Sequence, residues 1–263
     1  MAALLRKSLR DQRRAFVAWA VGLAGMSLMY AAFYPSVRDS SEALQGYVQN
    51  LPDALRDVFG GDFTSPAGYL RSETFSVLGP ILFLVFGIGA GARAIAGEEE
   101  EGTLDLLLSV PVRRSQVLLD KWTAMTVAML GLASVLWATV TIVGPVFELE
   151  MDVLDLAAAC LMLLLIGVTF GTIALALGSL TGRRSLAIGI TGAAATAAYI
   201  VNILAPVVQV LAPVRSLSPF RWYLDPDPLV HGPSVENIAT LTLTTAVALG
   251  LAGLAFERRD LRA

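Results

Sequence analysis

The sequence predicts an all-α membrane protein that crosses the bilayer about six times. The chain of 263 residues is 56% hydrophobic and only 16% charged, whereas soluble domains carry about 25% charged residues. A membrane-spanning helix needs about 20 consecutive apolar residues, and six stretches meet that length. One transmembrane domain over residues 1–263 would contain these spans, at residues 15–34, 74–96, 122–147, 153–180, 186–211 and 235–256.

Basic residues are distributed unevenly between the two sides of this predicted bundle. Fourteen of the 19 lie at the two termini, between spans two and three, or between spans four and five, and only five lie on the other side. Because Lys and Arg are retained in cytoplasmic segments, both termini are expected in the cytoplasm. The net charge of −3 argues against a nucleic-acid partner, which usually meets a basic face.

The residues before span one have an amphipathic pattern of their own. Leu4, Leu5 and Leu9 recur at helical spacing, and five basic residues fill the other positions: Arg6, Lys7, Arg10, Arg13 and Arg14. This pattern predicts an interfacial helix, separate from span one, whose arginines meet anionic headgroups. A secretory signal peptide is the alternative, and it is disfavoured because no small-residue cleavage site follows the apolar run.

Two outer segments are too long to be simple turns. In the first, residues 35–73, an apolar pattern at helical spacing (Leu51, Leu55, Val58, Phe59) predicts a short helix on the outer face. The second, residues 212–234, holds five prolines, which exclude regular helix. Its aromatic residues predict anchoring at the membrane interface, with a gate over an exit path as the alternative: Phe220, Trp222 and Tyr223.

Small and polar residues inside the spans suggest how the helices pack. Gly87 with Gly91, and Gly167 with Gly171, have the four-residue spacing that lets helices approach closely in lipid. Gly87–Gly91 also reads GxGxG, but no strand precedes it, so packing is favoured over a nucleotide loop. Asn202 is the most polar residue in the middle of a span. It would bond a neighbouring helix or line a pathway.

Signatures of enzymes and of ion-driven carriers are missing. A single histidine, His231, cannot form a metal pair, and a single cysteine, Cys160, cannot form an internal disulfide. The chain has no GxxxxGK[ST] loop for ATP. Ionisable residues inside a membrane normally mark ion coupling, and the span centres have almost none. The chain is therefore expected to hold no cofactor and to be no enzyme by itself.

The segment after span two, AGEEEEGTLDLLLSVPVRRSQVLLDKW (Ala96–Trp122), carries the functional hypothesis. Glu98–Glu101 are predicted at a helix N-terminus, where negative charge is favoured. Pro111 would end that helix, and three leucines would form its apolar face: Leu104, Leu107 and Leu108. Two interpretations stay open on these residues alone: a helix offered to a cytoplasmic partner, or a solvated loop on the membrane.

This segment resembles the signature of ABC-2 type permeases. The matching elements are Glu98–Glu100, Gly102–Leu107, Pro111–Arg114 and Lys121, with a similar C-terminal ending at Phe256–Leu261. Glu101 departs from the pattern, since a polar or basic residue is common there. The resemblance implies an inner-membrane subunit of a bacterial exporter: two permeases form the pathway, and two separate ATPase subunits bind ATP and Mg.

The resemblance also implies which residues couple the chain to that ATPase: Glu98, Glu99, Glu100, Gly102, Thr103, Leu104, Asp105, Leu107, Leu108, Pro111, Arg113 and Arg114. Three other classes compete with the permease. A secondary carrier is opposed by the lack of buried charge, and an intramembrane enzyme by the lack of a catalytic constellation. A membrane scaffold or sensor would share the spans but need no ATPase.

Overall fold

Six helices are long and apolar enough to cross a membrane, which confirms the predicted all-α polytopic class. The computed structural model describes residues 2–40, 64–104 and 113–258, with the side chains of residues 2–5 excepted. The predicted outer helix around Leu51–Phe59 lies outside these residues. The six spans are Ala2–Asp39, Pro66–Glu100, Arg114–Val143, Val153–Thr181, Arg184–Leu204 and Val235–Arg258.

Span four forms the centre of the bundle. Spans two, three, five and six pack against it, and span one packs against span three. In the most apolar stretch of span four, 72% of the residues are buried, compared with 17% in span one. The peripheral helices therefore keep one face for their neighbours and leave the other for lipid or for a second protein.

The first helix runs unbroken from Ala2 to Asp39, so the predicted separate interfacial helix was wrong in its boundary. Neither Gly nor Pro occurs before Gly22, and nothing else in this stretch interrupts helical hydrogen bonding. One face of the helix continues from the predicted interfacial part into span one, with Ser8, Leu23 and Ala31 buried along it. The five basic residues of the amphipathic pattern are all exposed: Arg6, Lys7, Arg10, Arg13 and Arg14.

Span five ends at Leu204 rather than at residue 211 as predicted. Pro206 follows, and proline has no N–H with which to continue the helical ladder. The backbone turns instead, and Val208 donates its N–H to the carbonyl of Leu204 at 2.8 Å. A single turn of 3₁₀ helix, Gln209–Leu211, follows the break.

Three short helices occupy the proline-rich outer segment, so the prediction that proline excludes helix there was wrong. They are Ala212–Arg215, Pro219–Leu224 and Pro228–His231, and each has a proline in its first turn. Proline is accepted at that position because the first N–H groups of a helix have no partner within it. The side chains of Ser218 and Asp227 cap the second and third helices.

The aromatic residues of this outer segment belong to the protein core more than to an interface belt. Phe220 and Tyr223 are each only 1% exposed, and their burial contradicts membrane anchoring for these two residues. Tyr223 donates its hydroxyl to the carbonyl of Phe75 at 2.7 Å. Burial raises the pKa of Tyr223 well above its ordinary value, so the phenol stays protonated as a donor. Trp222 is half-buried and donates its indole N–H to Ser216.

Span two contains two π-helical segments, Arg71–Leu78 and Arg93–Gly97, on either side of the α-helix Gly79–Ala92. Widened turns of this kind interrupt the regular ladder and often occur at functional sites. Tyrosine hydroxyls bind two carbonyls of the first segment: Tyr223 binds Phe75, and Tyr199 binds Ser76 at 3.2 Å. The second segment leads directly into the glutamate run.

Candidate functional site at the basic end of the bundle

The end of span two, the starts of spans three and five and the end of span six meet at one end of the bundle, called here the basic end. Lys121 at the start of span three forms an ion pair with Glu98 at the end of span two. The backbone N–H of Arg184, at the start of span five, donates to Glu100 at 2.9 Å. Arg114 donates to the carbonyl of Phe256 in span six at 3.0 Å. The end of span two and the start of span three are therefore joined to each other and to spans five and six.

The glutamate run forms the last turn of span two, so its predicted position at a helix N-terminus was wrong. The helical hydrogen bonds continue through Glu98–Glu100, since no helix breaker precedes Gly102 in this stretch. Gly102 then adopts a left-handed backbone with φ of 67°. Thr103 N–H donates to the Glu98 carbonyl at 2.9 Å, and Gly102 N–H to that of Glu99 at 3.1 Å. This is the Schellman motif, in which glycine most readily adopts the left-handed conformation that ends the helix.

Acidic residues at a helix C-terminus face the negative end of the helix dipole, which costs about 0.3–1 kcal/mol for each charge. Two contacts offset this cost. The Glu98–Lys121 pair is largely desolvated, with side chains 16% and 10% exposed. Glu100 accepts the backbone N–H of Arg184. The glutamates are therefore stabilised by contacts between spans and not by their own helix.

Leu104 is 2% exposed and packs inside the protein. Its neighbours are apolar residues of spans two, three, four and six: Ile95, Val117, Leu118, Leu175, Ala252 and Phe256. This burial corrects the expectation that Leu104 belongs to an apolar face offered to a partner. The leucine fixes the segment to the spans, while Glu101, Gly102 and Thr103 beside it are exposed.

The other end of the segment is fixed by Arg114. Its guanidinium donates to the Phe256 carbonyl and lies 5.7 Å from the centroid of the Phe256 ring, a cation–π geometry. Arg113 precedes span three and is exposed. The remaining residues assigned to coupling lie outside the described part of the chain: Asp105, Leu107, Leu108 and Pro111.

The four glycines predicted to pack helices meet between spans two and four. A Cβ on Gly87 would lie 2.7 Å from the carbonyl oxygen of Gly167, and one on Gly91 would overlap that of Gly171 even more closely. Backbone therefore contacts backbone at two successive levels, which a larger residue would prevent. Because this packing lies within one chain, these glycines are not free for contact with a second copy.

Asn202 is buried at 7% exposure in span five. Its Oδ1 accepts no hydrogen bond from the described residues, so that atom does not form the bond to a neighbouring helix that one interpretation expected. The structure therefore does not assign Asn202 to either role. Within the part of the chain described here, no group of histidine, cysteine and acidic residues could hold a metal ion.

Several polar contacts between spans were not found from the sequence. Thr169 and Thr245 share a hydrogen bond of 2.9 Å between spans four and six, and Trp122 donates to Thr172 at 2.9 Å. Threonine is common in membrane helices, so these residues carry no signal. Lys121 did carry a sequence signal, because a lysine beside an apolar span requires a partner or water.

The six spans and the absence of strands in the described residues define a polytopic helical membrane protein. The family model described as ABC-2 family transporter protein matches residues 2–261. The chain therefore belongs to this family of transport membrane proteins, as the resemblance of the segment after span two indicated. A search of curated proteins found no match.

Proposed function

We propose that this chain is the permease subunit of an ATP-driven exporter, and that it acts as a pair bound to a separate ATPase. Family membership supports a membrane transport role. One observation carries the coupling step: the segment from Glu98 to Arg114 is tied at both ends to several spans. Glu98 contacts Lys121 of span three, Glu100 contacts Arg184 of span five, and Arg114 contacts Phe256 of span six.

These ties give the proposed mechanism. A partner that displaces this segment would move the ends of spans two, three, five and six together, because each is joined to it by a polar contact. Coupling requires the two states of the pathway to bind the two states of the ATPase with different affinity. ATP and Mg would be bound by the ATPase, so this chain contributes displacement and no catalysis.

The proposed ATPase surface consists of the exposed residues Glu101, Gly102, Thr103 and Arg113 together with the segment between them. In that segment, the sequence pattern gives Leu107 and Leu108 as the apolar anchors. Leu104 is buried beside these exposed residues and fixes this surface to the spans.

The proposed orientation places the basic end in the cytoplasm of a bacterial inner membrane, since Lys and Arg are retained on that side. The proposed dimer must use faces other than the packed glycines. Spans one, five and six are the least buried, with 17%, 22% and 22% of their most apolar stretches covered. Such faces are available to a second copy or to a related permease.

The test is a double substitution, Leu107→Asp with Leu108→Asp, in a chain co-expressed with a candidate ATPase partner. Carboxylates in an apolar groove are costly to bury, so the variant should insert normally but lose the ATPase on purification. The matched control is Leu217→Asp with Val230→Asp, two exposed apolar residues of the outer segment. If the Leu107 and Leu108 variant retains the ATPase as the control does, the segment is not the coupling element.

A further inference from the structure

A cavity of about 480 Å³ lies at the basic end between spans one, two and three. Its volume is within the range of about 300–1,000 Å³ typical of small-molecule sites. Along span two, the lining changes from apolar Val85 and Phe86 to charged Glu98 and Glu101. A helical rise of about 1.5 Å per residue places Val85 and Glu98 about 20 Å apart. The cavity is thus long, apolar at one end and charged at the other.

The charged end has hydrogen-bond acceptors that lack donors. Glu98 uses Oε1 for Lys121, while its Oε2 is buried and has no partner in the described residues. Gln12 Oε1 is buried and unpartnered in the same way. The carboxylates of Asp11 and Glu101 also line this end and can only accept hydrogen bonds. A ligand that satisfies these atoms must therefore donate hydrogen bonds.

The charges of the lining favour a cation. Three acidic residues and two basic residues line the cavity, and Lys121 is already paired with Glu98. The other lining charges are Arg93 and the two carboxylates of Asp11 and Glu101, which leaves an excess of one negative charge. An anionic headgroup would meet these carboxylates directly, and like charges at close range repel.

The apolar end suits an alkyl chain. Trp19 of span one and Phe86 of span two form an edge-to-face pair with centroids 6.1 Å apart, and both line the cavity. Gly89 also lines it, and a Cβ built on Gly89 meets no atom within 4 Å. Space for a chain is therefore open along span two towards the charged end.

We propose that this cavity binds a single-chain alkylammonium amphiphile. The ammonium group donates to Glu98 and Gln12, the carboxylates of Asp11 and Glu101 add negative charge to the same cavity, and the chain lies along Trp19 and Phe86. The role of the ligand as cargo rests on the proposed function, but binding itself needs no ATPase. A membrane phosphatidylethanolamine also presents an ammonium group, and the test separates these two sources.

The test uses the full-length chain without ATPase in phosphatidylcholine nanodiscs. The probe is a dodecylammonium ion with a photoreactive diazirine near the end of its chain, and a dodecyl sulfate with the same diazirine is the comparison. We expect saturable labelling near Trp19 and Phe86 by the ammonium probe, which unlabelled dodecylammonium displaces. The sulfate should give no saturable labelling there.

Two variants locate the site. Gly89→Leu should fill the chain-binding end and lower the apparent affinity about tenfold or more, since a chain and a leucine cannot occupy the same space. Gly250→Leu is its matched control, because Gly250 is also helical with open space and lies outside the cavity. Asp11→Asn with Glu101→Gln should weaken binding about fivefold, as expected for two exposed charges.

Three outcomes would overturn the proposal: unsaturable labelling, equal labelling by the sulfate, or unchanged binding in Gly89→Leu. Loss of labelling in phosphatidylethanolamine nanodiscs would identify a lipid headgroup site and would also overturn it. Each of these results leaves the ATPase assignment untouched, because no ATPase is present. Conversely, loss of ATPase binding elsewhere would not affect this measurement.

Discussion

Two glycines on the same helix should respond in opposite ways to the same substitution. Gly87 packs against span four, where an added Cβ would lie 2.7 Å from the Gly167 carbonyl oxygen and 3.2 Å from Met129 Cε. Gly89, two residues on, faces open space. Gly87→Ala and Gly89→Ala therefore share their chemistry and nearly their depth in the membrane, and differ in what the new methyl group meets.

The magnitudes follow from these distances. Ordinary van der Waals contact begins at 3.4 Å, so Gly87→Ala must separate spans two and four by about 0.7 Å at that level. Overpacking of this kind costs about 1–3 kcal/mol. Alanine is favoured over glycine in a helix by about 0.5–1 kcal/mol, and Gly89→Ala creates no clash that would offset this gain. We expect stability to fall by about 1–2 kcal/mol in the first variant and to rise slightly in the second.

The assay is reversible unfolding of the detergent-solubilised chain in dodecyl sulfate mixtures, followed by tryptophan fluorescence. Gly250→Ala, in span six with no atom near its Cβ, controls for helix propensity and should match Gly89→Ala. Equal stability of the Gly87 and Gly89 variants would refute the close approach of spans two and four.

The remaining predictions concern the basic end. Lys121→Met should leave Glu98 buried without its cation and destabilise the chain by about 2–4 kcal/mol. Adding Glu98→Gln should recover part of this loss in a double-mutant cycle of unfolding free energies. Additive effects of the two substitutions would contradict the ion pair. Gly102→Ala should lower stability by about 1–2 kcal/mol, since its left-handed backbone disfavours a Cβ; a thermal melt unchanged from the parent would contradict the cap. In a cysteine-free background, Arg184→Cys should resist an impermeant thiol reagent in intact cells while Ser234→Cys reacts, and labelling of both would contradict the topology.

The sequence predicted the number of spans well because the signal for a membrane helix is long and redundant. About 20 apolar residues contribute to each span, so one exception such as Asn202 changes little. The residues at which the spans begin and end were less predictable. Pro206 ends span five seven residues before the apolar pattern does, because a single missing N–H outweighs several apolar side chains.

Local charge was the least reliable guide. Four glutamates suggested a helix N-terminus from the dipole rule, yet they end span two because Lys121 and Arg184 stabilise them from other spans. The helix-dipole effect is smaller than the stabilisation from these tertiary contacts, and Lys121 and Arg184 are distant from the glutamates in sequence. The cavity lined by hydrogen-bond acceptors was not predicted for the same reason, because its lining residues come from three spans that are distant in sequence. In contrast, the glycine spacing was a local pattern, and the structure brings those residues together.

We propose that this chain is one subunit of a coupled complex and does not transport by itself. The most direct measurement is native mass spectrometry of the chain purified in mild detergent after co-expression with a candidate ATPase partner. We expect a particle with two copies of the 27.9 kDa chain, or one copy with a related permease, and two ATPase subunits. A chain that purifies without any ATPase and still transports in vesicles would contradict it.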